Sequence, residues 1–380
     1  MIELFIEKKL LQRTAICILL ASLAACSGSR SDDSSDTSGN VDSSTDDGGL
    51  TSGEVDNGTD GDSTSPDEVD TATDGDDVDS PAPDDVVISP PDDSTSGVLC
   101  DYNDTTYNNQ PSLTYTSTST WTCTDSTREL SANGIPDHEV GTFPNPNNPN
   151  VISEQTVSAS FTLEPTETST PTELGGPRGS AGYVLNGVKI DASTAGSCDD
   201  SGSSCSLIDN SGNWNIEALG QTSFDFGTDQ NNAHVQPDGA YHYHGMPEGF
   251  ITKRGGNSAT MTLIGWAADG FPIYARYGYS VADDTSSELK AITGSYQLVS
   301  SVSASRPSTT TYPMGTFQQD WEYIAGSGDL DECNGRVGVT PEFPNGIYHY
   351  YATDTYPYFQ RCVKGEVTTS EELSPPPPSF

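Results

Sequence analysis

A mainly β fold, a single irregular domain with long loops and disulfides after a disordered linker, is what this sequence predicts. Three observations carry the expectation. Short runs of alternating apolar residues recur between turn dipeptides; the acidity is densest in an N-terminal stretch that cannot pack; and six cysteines are left for pairing within the part that can.

The acidic stretch sets the domain boundaries. The chain has 380 residues, 56 acidic and 15 basic, a formal net charge of -41 and 32% hydrophobic residues. Such a charge excludes a nucleic-acid binder, which needs a positive footprint to meet phosphate. Residues 27–97 hold 21 of the acidic residues (19 Asp from Asp32 to Asp93, with Glu54 and Glu68) against Arg30, a contribution of 1 − 21 = −20. Ser, Thr, Gly and Pro fill most of the remainder, so this segment buries too little to offset its conformational entropy and its charges push it open. Asp-Gly pairs such as Asp60-Gly61-Asp62 lack the spaced ligands and closing Glu of a calcium loop. Residues 26–97 therefore read as a disordered acidic linker.

Ahead of the linker, Lys8, Lys9 and Arg13 precede the apolar run Ala15 to Leu20 and the small residues Ala21 to Ala25. Charged, then apolar, then small is the order of a secretory signal, and the run is too short to span a bilayer. Leu23-Ala24-Ala25-Cys26 resembles the lipobox of bacterial lipoproteins. The resemblance implies a signal peptide over residues 1–25, lipidation of Cys26, and a membrane partner through that lipid. Ser27 follows rather than Asp, so the inner-membrane retention signal is absent and an outer-membrane or cell-surface location is expected. An ordinary signal cleaved near Ala25 would instead leave Cys26 as an unpaired thiol. At the other end, Pro375 to Pro378 mark residues 371–380 as a disordered Pro-rich tail.

Residues 98–370 remain as the folded domain. Val157, Ala159, Phe161 and Leu163 alternate on one face of a strand, and Gly182 to Ile190 reads as a hairpin turning at Asn186-Gly187. Met261 to Trp266 and Phe271 to Tyr277 flank Asp269-Gly270, another hairpin signal. Trp214 to Leu219 is expected as a short helix. The six cysteines of the domain allow 15 connectivities. Nearness in sequence favours Cys100 with Cys123, Cys198 with Cys205 and Cys333 with Cys362. A weak repeat links Asp238-Gly-Ala-Tyr-His-Tyr-His244 to Asn345-Gly-Ile-Tyr-His-Tyr-Tyr351, with Asp269-Gly-Phe-Pro-Ile-Tyr274 a looser third copy.

All five histidines lie in this domain: His138, His234, His242, His244 and His349. Residues two apart on a strand share a face, so His242 and His244 present two imidazoles together and Tyr241 and Tyr243 two phenols opposite. Paired imidazoles can share a cation. His234 returns to the same place if the Pro237-Asp238-Gly239 turn closes a hairpin, and His349 occupies the position of His242 in the repeat. The metal ligands expected are thus His242, His244, His234 and His349, with copper or zinc as cofactor. Asp238, Tyr241, Tyr243 and His138 are candidate supporting or acid/base groups. Met246 offers a thioether, though local packing explains it more simply, and Glu248 is a second candidate base.

Several blocks, taken together, resemble the YHYH domain family: Gly134-Ile-Pro-Asp-His138, Phe143-Pro-Asn-Pro146, His234-Val-Gln-Pro-Asp-Gly-Ala-Tyr-His-Tyr-His-Gly245, Trp266 to Tyr274, Cys333-Asn-Gly-Arg336, Thr340 to Tyr351 and Phe359-Gln-Arg-Cys362. The resemblance implies a secreted or lipid-anchored protein and brings no established activity. Whether the chain is an enzyme stays open. A second reading is a surface module that binds carbohydrate or an anionic polymer without catalysis. Its support is 17 tyrosines and 4 tryptophans for stacking, and Arg254, Arg276, Arg336 and Arg361 for gripping anions. A serine hydrolase is not supported, since Gly326-Ser327-Gly328 lacks the full nucleophile elbow.

Overall fold

The computed structural model describes residues 96–174 and 180–367. The expected signal peptide, the lipidation expected at Cys26, nearly all of the expected acidic linker and the expected Pro-rich tail lie outside the described residues. Within them the protein is mainly β, as the alternating runs predict.

After one helical turn, α1 (Ser96–Leu99), the chain lays down an antiparallel sheet in simple order: β1 (Asn103–Tyr107), β2 (Thr116–Cys123), β3 (Thr127–Ala132) and β4 (Val157–Thr162). Ala159 and Phe161 are buried on β4, as their alternation requires. Strand β5 (Glu167–Glu173) leaves to pair with the last strand of the domain. The Asn186-Gly187 turn then closes β6 (Gly182–Val184) on β7 (Lys189–Ile190), with Gly187 at φ +79, a conformation open to glycine.

A long excursion follows. It carries β8 (Ser197–Cys198), β9 (Cys205–Ser206) and β10 (Trp214–Asn215), a small sheet in the order β10-β8-β9. The helix expected over Trp214 to Leu219 does not form. Trp214 pairs with Cys198 and Ile216 bridges to Phe317, so sheet pairing overrides a six-residue pattern too short to sustain a helix alone. A helix does form further on, α2 (Glu248–Lys253), after the hairpin of β11 (Ala233–Val235) and β12 (Tyr241–Tyr243). Its signals were present in sequence: Pro247 at the start, Glu248 in the first turn, Lys253 in the last and Gly255 beyond.

The Asp269-Gly270 turn joins β13 (Thr262–Ala267) to β14 (Pro272–Ala275). Two short hairpin-like pairs come next, β15 (Tyr277–Tyr279) with β16 (Leu289–Ala291) and β17 (Tyr296–Leu298) with β18 (Trp321–Tyr323). The final strands among the described residues are β19 (Gly335–Gly338), β20 (Ile347–Ala352) and β21 (Cys362–Gly365), the last paired with β5.

An eight-stranded sheet forms the centre, in the order β11-β12-β7-β6-β13-β14-β20-β19. The three copies of the weak repeat all enter strands of this sheet, β12, β14 and β20, from turns with Gly239, Gly270 and Gly346 at φ near +90. A shared turn-to-strand device therefore sets an edge hairpin at each end and one inside. The meander packs on this sheet through the Phe161 and Tyr183 rings and through Arg128, whose guanidinium lies 3.3 Å from the Trp266 ring centroid. Disulfides join Cys100–Cys123, Cys198–Cys205 and Cys333–Cys362, the pairing that nearness favoured.

Candidate metal centre

At one edge of the large sheet, the β11–β12 register sets His234 opposite His242, between the pairs Ala233–Tyr243 and Val235–Tyr241. Alternation then divides the residues cleanly. Val235, Tyr241 and Tyr243 point into the core and are no more than 1% exposed. His234, His242 and His244 project from the other face. β7 runs parallel along the far side of β12, and the partners His242–Lys189 and Tyr243–Ile190 bring Lys189 and Asp191 to the histidine face too. Gln236, two beyond His234, completes this polar face.

The three imidazoles meet through their Nε2 atoms, His242 to His244 at 3.1 Å and His244 to His234 at 3.0 Å. Their ligand atoms all lie within 4.8 Å of one another. The outward nitrogens are held from behind. His234 Nδ1 lies 2.8 Å from the Phe226 carbonyl and His242 Nδ1 3.2 Å from that of Ala240. A ring nitrogen bonded to a carbonyl must carry the proton, so these two neutral rings present bare Nε2 lone pairs. His244 Nδ1 is buried without a bond of ordinary geometry, supported only by the Asp191 backbone beside it. Three converging nitrogens therefore share at most one proton when neutral.

Neutrality is what the surroundings impose. Burial lowers the pKa of all three imidazoles, and at His242 and His244 repulsion from neighbouring rings adds to it. The Lys189 ammonium acts in the same sense on each. A cation satisfies what this arrangement lacks. Tetrahedral Zn–N bonds of about 2.0–2.1 Å set nitrogen pairs roughly 3.3 Å apart, close to the 3.0 and 3.1 Å found here. The residues present thus fit a transition metal ion with an all-imidazole donor set.

His349 lies elsewhere. Five strand spacings of about 4.8 Å separate β12 from β20, roughly 24 Å, and His349 Nε2 is 3.1 Å from the Tyr351 hydroxyl. His138 sits on the phenol side of β12, its Nε2 2.6 Å from the Tyr243 hydroxyl, which also accepts from Asn186 Nδ2 at 3.0 Å. Tyr241 donates to Asp229 Oδ2 at 2.7 Å. Asp238 is exposed and its carboxylate caps the hairpin turn, accepting from the Ala240 N–H. Met246 is buried in the hydrophobic core. Glu248 is engaged by Arg276, which also binds Asp354. Arg361 pairs with buried Glu217, Arg336 donates to the Tyr279 carbonyl, and Arg254 lies over the Tyr102 ring.

A family model described as YHYH protein matches residues 158–365, more than half of the chain. The chain belongs to the YHYH family. The matched residues take in the whole eight-stranded sheet and the three converging histidines. They begin at β4, so β1 to β3 and the blocks from Gly134 to Pro146, His138 among them, precede the match. No curated protein and no solved structure matches the chain.

Sequence reasoning missed Lys189, Asp191 and Gln236 as neighbours of the YHYH tetrapeptide. Lys189-Ile190-Asp191 does show strand alternation. What it lacks is any mark of its partner, because β7 reaches β12 as a parallel neighbour across a long connection.

Proposed function

We propose that this chain is an envelope lipoprotein whose YHYH domain holds one transition metal ion, copper or zinc, through the Nε2 atoms of His234, His242 and His244. The convergence of those atoms at 3.0 and 3.1 Å is the observation that carries the reading. Supporting it are the carbonyl bonds that fix two of the three tautomers and the environment that keeps every ring neutral. Export and anchoring rest on the charged-apolar-small leader and the lipobox ending at Cys26. The three disulfides accord with an oxidising compartment.

Three imidazoles leave coordination incomplete, which in zinc proteins is the pattern of reactive rather than purely structural sites. When bound, the ion supplies Lewis acidity toward whatever fills the remaining position. The chain's own part is to orient the rings, exclude imidazolium and keep the phenols of Tyr241 and Tyr243 on the opposite face. Recognition of an anionic polymer through arginines has less support, since Arg276 and Arg361 are already paired with carboxylates.

Metal analysis tests the proposal. Purified protein reconstituted with copper or zinc should hold about one ion per chain, and His242→Ala and His244→Ala should lose it. Wild type that stays metal-free after reconstitution would overturn the reading.

A further inference from the structure

The groups around the three imidazoles include a cation as well as the carboxylates of Asp191 and Asp229. Ligating histidines commonly lean on carboxylates, which raise ligand basicity and offset the ion's charge. Here the residue opposite His242 on the next strand is Lys189. Its side chain keeps 25% exposure, and it reaches Asp191 Oδ2 and Gln236 Oε1, both at 3.3 Å. Gln236 Nε2 in turn donates to Asp191 Oδ2 at 3.3 Å. Because β7 and β11 flank β12, the Lys189–Gln236 bond passes over the strand that bears His242. The result is one ammonium, one amide and one carboxylate arched over β12 on the face that bears the imidazoles. Lys189 and His242 are Cα partners on adjacent strands and share a face, so the ammonium's stem rises beside the imidazoles.

We propose that this face binds a small oxyanion, a carboxylate or phosphate group, between the metal's remaining position and the Lys189 ammonium, with the Gln236 amide as a second donor. The inference rests on the metal reading above and specifies what the metal presents. An ammonium near a divalent ion costs electrostatic energy unless an anion lies between them. Both bonds that hold Lys189 are 3.3 Å long, at the weak end of hydrogen bonding, so the ammonium has capacity for a stronger acceptor. Asp191 competes with any such anion for Lys189. That gives the proposal opposite signs at two neighbouring positions.

The full chain loaded with Cu2+ and titrated with azide, followed by its charge-transfer absorbance, reads occupancy of the open position. Inorganic phosphate and acetate serve as competitors. Expected are saturable azide binding in wild type, displacement by phosphate or acetate, and at least a fivefold loss of azide affinity in Lys189→Met. Lys189→Arg should stay within about twofold of wild type, and Asp191→Asn should bind azide more tightly. Metal per chain is measured for every variant. A Lys189→Met protein that holds its copper and binds azide as wild type does overturns the proposal while leaving the metal site intact. Wild type without copper overturns the metal reading and this inference with it.

Discussion

Arg336 and His349 are Cα partners across the β19–β20 hairpin in the same relation that His234 and His242 hold across β11–β12. The likeness extends to the rings: His349 Nδ1 lies 2.9 Å from the carbonyl two residues before it, Ile347, as His242 Nδ1 lies 3.2 Å from that of Ala240. At the two remaining positions the copies part. Tyr351 stands where His244 does, and Arg336 where His234 does. Arg336 donates to the Tyr351 hydroxyl at 3.2 Å, so a guanidinium stands in the second copy where the first has the His234 imidazole.

That equivalence is testable by conversion. Arg336→His combined with Tyr351→His should give the β20 edge three imidazoles and raise bound zinc from about one ion per chain to about two. The replaced phenol is fully buried, so a lower melting temperature is expected too. A folded double variant that still binds one ion would show that the register alone does not make the site.

Metal should stabilise the fold by mass action. Zinc held at one hundred times its Kd adds about 2.7 kcal/mol, seen as an upward shift in melting temperature that chelator reverses. His242→Ala should show no such shift. The comparison of zinc-loaded and chelated melts, in both proteins, checks this.

His349 makes the metal-free domain acid-labile. Burial pushes its pKa from 6.5 to about 4. The unfolded chain takes up a proton near pH 6.5 while the folded one resists, so stability is whole above that pH and falls as pH drops toward 4. At 1.36 kcal/mol per pH unit the loss is roughly 2 kcal/mol by pH 5 and about 3 by pH 4. The other buried imidazoles act in the same direction, so the measurement is a difference. Denaturant unfolding of wild type and His349→Gln at pH 7.5 and pH 5 should show a flatter dependence in the variant. Parallel profiles would assign the acid sensitivity elsewhere.

Arg361 and Glu217 form an ion pair at 2.8 Å with side chains 10% and 2% exposed. Removing one partner strands the other in a poorly solvated site, a loss typically of about 3–5 kcal/mol. Arg361→Leu should therefore lower the denaturation midpoint sharply, with Arg361→Leu/Glu217→Leu recovering part of it. Chemical denaturation of the two variants decides.

Legibility in the sequence tracked the range of the interaction. Turns such as Asn186-Gly187 and Asp269-Gly270 are local, and each gave its hairpin. His-x-His spacing placed two candidate ligands on one face, and the Pro237-Asp238-Gly239 turn brought in His234. The failures were pairings over distance. His349 matched His242 in local pattern, yet sheet order set them at opposite edges. Trp214 read as helical because its partner Cys198 lies sixteen residues earlier. Lys189 sat in a legible strand whose partner was not, since nothing local marks a parallel neighbour.

The alternation on β12 also gives an ion a second consequence. Sliding that strand by one residue against β11 would exchange its imidazoles for the phenols of Tyr241 and Tyr243, turning every side chain to the opposite face. β12 is only three residues long, too short for its backbone ladder alone to oppose such a slip strongly. An ion gripped by one ring from β11 and two from the chain of β12 can form only in the native alignment. It would act as a proofreader of strand register at the edge of the sheet.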